Sequence, residues 1–211
     1  MHALSWLAER AFPQDAADWR RAWAEAGVAC GDLSCDVLVL NLPGRPAEPL
    51  RHTVRQASVW RPSVAPHRVV FVSEKPAVVA AAADLLDDGL VTMVCLDGMP
   101  STAALVILDG LASSGCVVRY HDDFDWRGLA IAAVLARKIA VSQPWRFGAV
   151  DYRRAVHRGL GTVALSGRPA SSPWDTDLAP VMERLGFAVY EEQVLDDLLE
   201  DVVAIRHGKH R

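Results

Sequence analysis

The sequence is poor in several features that would mark particular classes of protein. It has only four cysteines in 211 residues, and two of these, Cys95 and Cys116, fall in predicted buried strands. Such scattered thiols argue against a disulfide scaffold and against a paired zinc site. No stretch approaches the roughly 18 apolar residues of a membrane helix. The first 12 residues carry Glu9 and Arg10 and no long apolar run, so we expect a cytoplasmic protein without a secretory signal or a membrane partner.

A strong excess of charge of one sign is also missing, because the formal net charge is −4. This value alone argues against a simple nucleic-acid binder. The distribution is uneven, however: residues 127–174 hold eight Lys or Arg and one acid, whereas residues 175–201 hold nine acids and one Arg. The basic segment is either a surface that follows phosphates or a set of solvated helix faces, and charge alone leaves both interpretations open.

From residue 68 onward, short apolar runs alternate with helical patterns. The runs 69–72, 92–96 and 117–120 are predicted strands, and a fourth strand is predicted at 146–150. The segments 77–86, 102–113, 129–140 and 151–157 between and after them are predicted helices, followed by a short strand near 163–165 and helices at 175–185 and 191–203. Continuous apolar strands that alternate with helices predict an α/β fold, with a parallel sheet covered on both faces.

The N-terminal part is less regular. A helix is predicted at 14–27, a short strand at 37–40 and a further helix at 52–60, with prolines at 62 and 66 before the regular pattern starts. We therefore divide the chain into a small N-terminal α/β appendage, residues 1–62, and a main α/β domain, residues 63–211.

Three carboxylates follow the third of these strands. Because side chains alternate along extended backbone, Asp123 and Asp125 are expected to point the same way, while Phe124 turns inward. Glu74 closes the first strand, and the carboxyl ends of parallel strands meet at one edge of the sheet. Converging carboxylates repel one another and suit a hard divalent cation, although these acids could instead cap helices or pair locally.

These residues and their context resemble a known family. The order of Phe71-Val-Ser-Glu74-Lys-Pro76, Asp97-Gly-Met-Pro-Ser101 and Tyr120-His-Asp-Asp-Phe-Asp-Trp-Arg-Gly128, with the late Tyr190-Glu-Glu-Gln, is similar to the Toprim nuclease subunit (JetD-like) of bacterial Wadjet SMC anti-plasmid systems. That group is distantly related to the topoisomerase VI A subunit. The resemblance covers about residues 68–203 and implies a Toprim-like sheet.

The resemblance implies a Mg²⁺-dependent endonuclease, with Mn²⁺ as an alternative metal. Glu74, Asp123 and Asp125 would be the catalytic acids, and the same three residues with Asp122 would hold the metal. Two positions depart from the family pattern: Asp122 stands where Gly is expected, and Lys75 stands where Asn is expected. Lys75 could bind a phosphate, or it could weaken the metal site by pairing with Glu74.

The resemblance also implies DNA as substrate, plasmid DNA in particular, and an SMC-type, condensin-like complex as partner, with a homodimer as an open alternative. The residues expected to contact DNA are Lys75, Ser101, Arg127, Arg153 and Arg154. Ser101 opens a helix beside the site, where it could offer backbone N–H groups to a phosphate or act as a plain N-cap.

Two further points bear on function. Relatives of the topoisomerase VI A type cut DNA with a tyrosine that precedes the Toprim strand. Since no tyrosine precedes Tyr120 in this sequence, the resemblance implies attack by metal-activated water instead. Glu191 and Glu192 are interpreted as acids at the start of the last helix rather than as ligands. A non-catalytic Toprim scaffold that binds DNA or partner subunits remains an alternative. A sugar-nucleotide transferase is another, but it predicts a phosphate loop after the first strand, and we find none there.

Overall fold

A computed structural model describes residues 16–25, 31, 33, 35–42, 47–61, 67–86, 90–139 and 142–206. Within these residues, six strands form one sheet in the order β2-β1-β4-β3-β5-β6. The strands are β1 Asp36–Leu40, β2 Pro49–Thr53, β3 Val69–Ser73, β4 Thr92–Cys95, β5 Val117–Tyr120 and β6 Ser142–Pro144. The pairs β3–β4, β3–β5 and β5–β6 are parallel, and β1 runs antiparallel to both β2 and β4.

Helices cover the sheet. They are α1 Ala16–Glu25, α2 Val54–Val59, α3 Pro76–Leu85, α4 Thr102–Ser113, α5 Trp126–Lys138, α6 Ala149–His157, α7 Leu178–Leu185 and α8 Leu195–Arg206. Because β4 and β5 flank β3 on opposite sides, right-handed crossovers place α3 on one face of the sheet and α4 on the other. In agreement, α8 packs on α3 and α2 packs on α4. None of the helices in these described ranges is long and apolar enough to cross a lipid bilayer.

The C-terminal part is held to the sheet at one edge. Strands β7 Val163–Ala164 and β8 Phe187–Ala188 form a small antiparallel pair, and a single 3-10 turn, Glu191–Gln193, precedes α8. Phe124, in the segment between β5 and α5, forms an isolated bridge with Val189 in which its N–H donates to the Val189 carbonyl at 2.8 Å. This bridge brings residues near 190 beside the carboxyl ends of β3 and β5.

The predicted α/β class with a largely parallel sheet is confirmed, and the arrangement is consistent with a Toprim-like fold. The helix predicted at 102–113 has the observed bounds. The two strands within residues 1–62 are not a separate layer, because β1 pairs directly with β4 and β2 extends the sheet beyond β1.

Two predictions of local structure are wrong. The strand expected at 146–150 is a bend that leads into α6, and the strand paired with β5 is Ser142–Pro144 instead. The helix expected at 52–60 begins only at Val54, because residues 49–53 pair with β1. Parts of the predicted helix 14–27 and the basic tail lie outside the described residues.

Candidate metal centre

Acids from two distant segments meet at the carboxyl edge of the sheet. Val72 of β3 lies opposite Tyr120 of β5 in a parallel pair, so the residues that follow both strands emerge side by side. Glu74, Asp122 and Asp123 each offer one carboxylate oxygen, and these three atoms lie within 4.8 Å of one another. All three residues are buried. The structure thus brings together Glu74 and the acids that follow β5, as the strand ends of a parallel sheet predict.

Asp122 is the most constrained of the three. Its Oδ1 accepts the N–H of Asp123 at 2.7 Å, and its Oδ2 accepts the hydroxyl of buried Tyr120. Burial raises the pKa of Asp122 to about 8, although the hydrogen bond from Tyr120 works in the opposite direction. The residue that departs from the expected pattern is therefore inside the cluster, where burial makes its charge unfavourable.

Lys75 is the cation at the centre of the cluster. Its Nζ contacts Glu74 Oε2 and lies 3.0 Å from Asp123 Oδ2. Burial works to lower the pKa of Lys75, but the hydrogen bonds to both carboxylates raise it overall, so the ammonium stays charged. Arg127 is exposed at the rim, with one guanidinium nitrogen 3.6 Å from Glu74 Oε1.

Glu191 completes the cluster, a role that its sequence context does not predict. Its two carboxylate oxygens accept the N–H groups of Glu74 at 3.1 Å and of Lys75 at 2.6 Å. Its own N–H donates to Asp123 Oδ1 at 2.8 Å. The residue is fully buried, and burial together with the charge of Asp122 raises its pKa well above the usual range. Glu191 thereby ties the end of β3 to the acids after β5.

Asp125 does not project beside Asp123 as expected. The backbone turns after Asp123, whose carbonyl accepts the N–H of Asp125 at 2.8 Å, so the alternation of an extended strand ends there. Asp125 Oδ1 instead accepts the N–H of Gly128 at 2.6 Å and caps α5. Phe124 is buried, as predicted. Asp125 is absent from the group of converging ligand atoms in the described residues.

Gly128 is required for this local geometry. A Cβ at this position would lie 2.1 Å from the carbonyl oxygen of Asp123 and 3.0 Å from Asp122 Oδ1. The first turn of α5 can therefore approach the two acids only with glycine at position 128.

The residues expected to contact DNA fall into two groups. Lys75 and Arg127 form the first group and contact the acids, as described above.

Ser101, Arg153 and Arg154 form the second group. Ser101 is the N-cap of α4, since its hydroxyl accepts the N–H of Ala104 at 3.1 Å and donates to the Asp36 carbonyl at 3.0 Å. Arg153 and Arg154 lie on α6, where Arg154 pairs with Asp151 at 2.9 Å. The described contacts do not connect these last three residues to the cluster.

The basic and acidic segments partly neutralise each other. Arg146 of the basic segment contacts Asp201 at 2.5 Å and Glu200 at 3.1 Å, and Arg158 contacts Asp197 at 2.5 Å. The uneven charge distribution in the sequence is therefore in part an ion-pair network between two packed elements. Fewer arginines of residues 127–174 are left for phosphates than the sequence suggests.

The donor set suits a hard divalent cation such as Mg²⁺ or Mn²⁺. All of its ligand atoms are carboxylate oxygens, and their mutual distances allow one ion to bridge them. Glu74 Oε2 is buried and accepts no hydrogen bond of ordinary geometry, so its ion pair with Lys75 is its described partner. Glu74, Asp122 and Asp123 could thus hold a cation once the Lys75 ammonium moves aside.

Comparison with protein families assigns most of the chain. A family model described as "Protein of unknown function C-terminus" (DUF2399) matches residues 50–202. The chain belongs to this family. The DUF2399 region contains the whole cluster, including Glu191. Residues 1–44 match a second model, described as "Protein of unknown function N-terminus" (DUF3323). This matched segment includes strand β1. None of the curated proteins compared with the chain matches it.

Proposed function

We propose that this DUF2399 protein is a metal-dependent DNA endonuclease that hydrolyses phosphodiester bonds. The observation that carries the proposal is the buried cluster of Glu74, Asp122 and Asp123, to which Glu191 adds a fourth carboxylate. Lys75 is the cation at its centre. Buried carboxylates that crowd together are costly unless cations neutralise them. Carboxylates with perturbed pKa values cluster at functional sites.

The residues of the cluster have separate roles in the proposed reaction. A bound divalent cation supplies Lewis acidity and lowers the pKa of water. Glu74 is the acid whose Oε1 faces the rim near Arg127, and we assign it the transfer of a proton to or from the reacting oxygens. Asp122 and Asp123 would hold the metal together with the second oxygen of Glu74, Oε2. Lys75 and Arg127 hold phosphate oxygens at the entrance, where Arg127 is exposed.

The family assignment supports a more specific context. DUF2399 and DUF3323 are domains of JetD-like proteins of Wadjet systems, and the chain matches both. We therefore propose plasmid DNA as the substrate and an SMC-type, condensin-like complex as the partner that delivers it. Mg²⁺ is the proposed metal, with Mn²⁺ as a substitute.

A plasmid-nicking assay with Mg²⁺ or Mn²⁺ tests the proposal, in the presence and absence of the SMC-type subunits. We expect Asp123→Ala and Glu74→Ala to reduce nicking at least about 10³-fold, as expected when a charge-stabilising group is removed from an active site. Asp97→Ala is the matched control. Asp97 also follows a strand at this edge, but it is exposed and pairs with Arg51 instead of joining the cluster. Nicking that survives both cluster substitutions would rule out this site.

A non-catalytic scaffold is the second candidate, and one observation favours it. Every carboxylate oxygen of Glu74, Asp122, Asp123 and Glu191 already has a protein partner, so the cluster is satisfied without a metal. A scaffold predicts that Mg²⁺ and Mn²⁺ leave thermal unfolding unchanged. It also predicts no nicking when all partner subunits are present.

A further inference from the structure

Lys75 is the one partner between Glu74 and Asp123, among the described contacts, whose side chain can swing out of the cluster. The other donors are backbone N–H groups fixed by the fold, the buried hydroxyl of Tyr120, and Arg127 at the rim. The Lys75 side chain retains 26% of its exposure. Lys75 is also the N-cap residue of α3 but makes no capping hydrogen bond through its side chain, so the helix does not require its present position.

The ammonium and a divalent cation cannot occupy the cluster together. Lys75 Nζ contacts Glu74 Oε2 and Asp123 Oδ2, the second at 3.0 Å. A metal ion bound to these same oxygens at about 2.1 Å would lie within a few ångströms of the ammonium, where like charges repel strongly in a site shielded from water. Metal binding through Glu74 and Asp123 therefore requires that Lys75 leave.

We propose that Lys75 alternates between two anionic partners and thereby couples nucleic-acid binding to metal binding. Without nucleic acid its ammonium bridges Glu74 and Asp123. A backbone phosphate at the rim offers it a replacement partner, and the two carboxylates are released for the divalent cation. This inference rests on the proposed function, since it assigns phosphate and metal to the same site.

The surroundings of Lys75 favour a phosphate as the replacement partner. Arg127, with 64% of its side chain exposed, stands beside Glu74 and offers a second cationic group. Lys75 itself precedes the ten-residue helix α3, whose N-terminal end favours anions. A phosphate placed there would contact Lys75 and Arg127 together, so the lysine need only swing outward from the carboxylates.

Calorimetric titration of Mn²⁺ into the full chain, with and without a short linear DNA duplex, tests the coupling. The heat of Mn²⁺ binding to DNA alone is subtracted. In the wild type we expect the duplex to tighten Mn²⁺ binding about tenfold, within the usual range of coupling between two sites. By reciprocity, Mn²⁺ should tighten DNA binding by the same factor.

Lys75→Met and Arg127→Met form a matched pair for this titration. Each removes one positive charge next to Glu74, but only Lys75 bridges Glu74 and Asp123. We expect Lys75→Met without DNA to bind Mn²⁺ at least as tightly as the wild type does with DNA. Adding the duplex should raise the Mn²⁺ affinity of Lys75→Met by less than about twofold. Arg127→Met should bind the duplex more weakly, because it removes one phosphate contact, but should retain the coupling factor once the duplex is saturating. Lys75→Gln serves as a second variant should Lys75→Met fold poorly.

Several results would overturn the inference. The first is that Lys75→Met binds Mn²⁺ no more tightly than Arg127→Met does. The second is that Lys75→Met shows the same coupling as the wild type. The third is that the wild type binds no Mn²⁺ in the presence of DNA. Because the titration does not depend on cleavage, coupling in a protein that never nicks plasmid would contradict the endonuclease proposal alone. Nicking without coupling would contradict this inference alone.

Discussion

Two ionic clusters in this protein are built in opposite ways. In the candidate metal centre, Glu74, Asp122, Asp123 and Glu191 are buried together, and Lys75 is the cation among them. Burial raises the pKa of Asp122, Asp123 and Glu191, so each of these carboxylates is held where its charge is unfavourable.

The second cluster connects the bend between β6 and α6 to α8. Arg146 contacts Asp201 through two nitrogens, at 2.6 and 2.5 Å, and Asp201 also accepts the indole N–H of Trp145 at 3.0 Å. Burial works to raise the pKa of Asp201, but Arg146 lowers it overall. Here charges of both signs are matched and hydrogen-bonded, as in an ion pair that stabilises the fold. The acidic cluster is therefore unmatched in charge, with four buried carboxylates around Lys75, whereas the carboxylate of Asp201 is matched by the guanidinium of Arg146.

The pH dependence of the metal-free protein should separate the two clusters most clearly. The folded-state pKa of Asp122, about 8, lies above its ordinary value of 3.8, so between these values the folded state binds more protons than the unfolded state. Stability in EDTA should therefore fall as pH rises from about 5 to about 8. The lowered pKa of Asp201 has the opposite sign: its contribution is present above the ordinary value and is lost only in acid.

Thermal unfolding across this pH range, with and without Mn²⁺, measures the effect. Asp122→Asn should flatten the slope, because it removes the carboxyl group whose pKa is raised to about 8. Mn²⁺ should restore stability at about pH 8, because a ligand that binds only the folded state stabilises it. A midpoint in EDTA that is constant or rises toward pH 8 would contradict the unmatched character of the cluster.

Removing the Glu191 carboxylate should strongly lower the free energy of unfolding. Glu191→Ala leaves the N–H groups of Glu74 and Lys75 without acceptors in a buried site, at about 1–3 kcal/mol for each group. We expect a loss of about 2–4 kcal/mol in chemical denaturation, and a smaller loss for Glu191→Gln, which keeps one acceptor. Glu192→Ala is the control, because this neighbouring acid is exposed and its loss should change stability by less than about 0.5 kcal/mol. Equal effects at 191 and 192 would show that the buried contacts are unimportant.

Arg146→Met should destabilise the protein without changing metal binding. It leaves Asp201 and Asp197 without this partner, but both carboxylates are partly solvated, so we expect a loss of about 1–2 kcal/mol. Arg158→Met removes one exposed ion pair with Asp197 and should change stability by about 0.5 kcal/mol or less. Mn²⁺ titration of Arg146→Met should match the wild type. Altered metal affinity would mean that the two clusters are coupled.

The features that the sequence could predict are those set by local patterns. Helix α4 has its predicted bounds because local signals suffice: Ser101 caps its start, and apolar residues continue to Ser113. The convergence of Glu74 with the acids after β5 follows from parallel strands, whose registers fix which ends meet. Both inferences depend on patterns within one or two neighbouring elements.

Contacts between distant elements lie beyond such patterns. Strand β6 is the short segment Ser142–Pro144, whose strand state comes from pairing with β5 rather than from its own propensity. Buried Phe147 resembles a strand residue in sequence but packs against Phe124 and Trp174 from a bend. Glu191 is 117 residues from Glu74, and the bridge between Phe124 and Val189 places the chain next to the site that Glu191 joins.

Asp125 gives the smallest and most local test of where the acidic cluster ends. As the N-cap of α5 it accepts the N–H of Gly128, so Asp125→Ala should lower stability by about 1 kcal/mol, while Asp125→Asn, which retains a capping oxygen, should be nearly neutral. If the cluster consists of Glu74, Asp122 and Asp123, Asp125→Asn should also retain Mn²⁺ binding, whereas Asp123→Asn should weaken it strongly. Calorimetric titration of both variants measures the difference. Equal losses of affinity would return Asp125 to the metal ligands and extend the unmatched cluster into the first turn of α5.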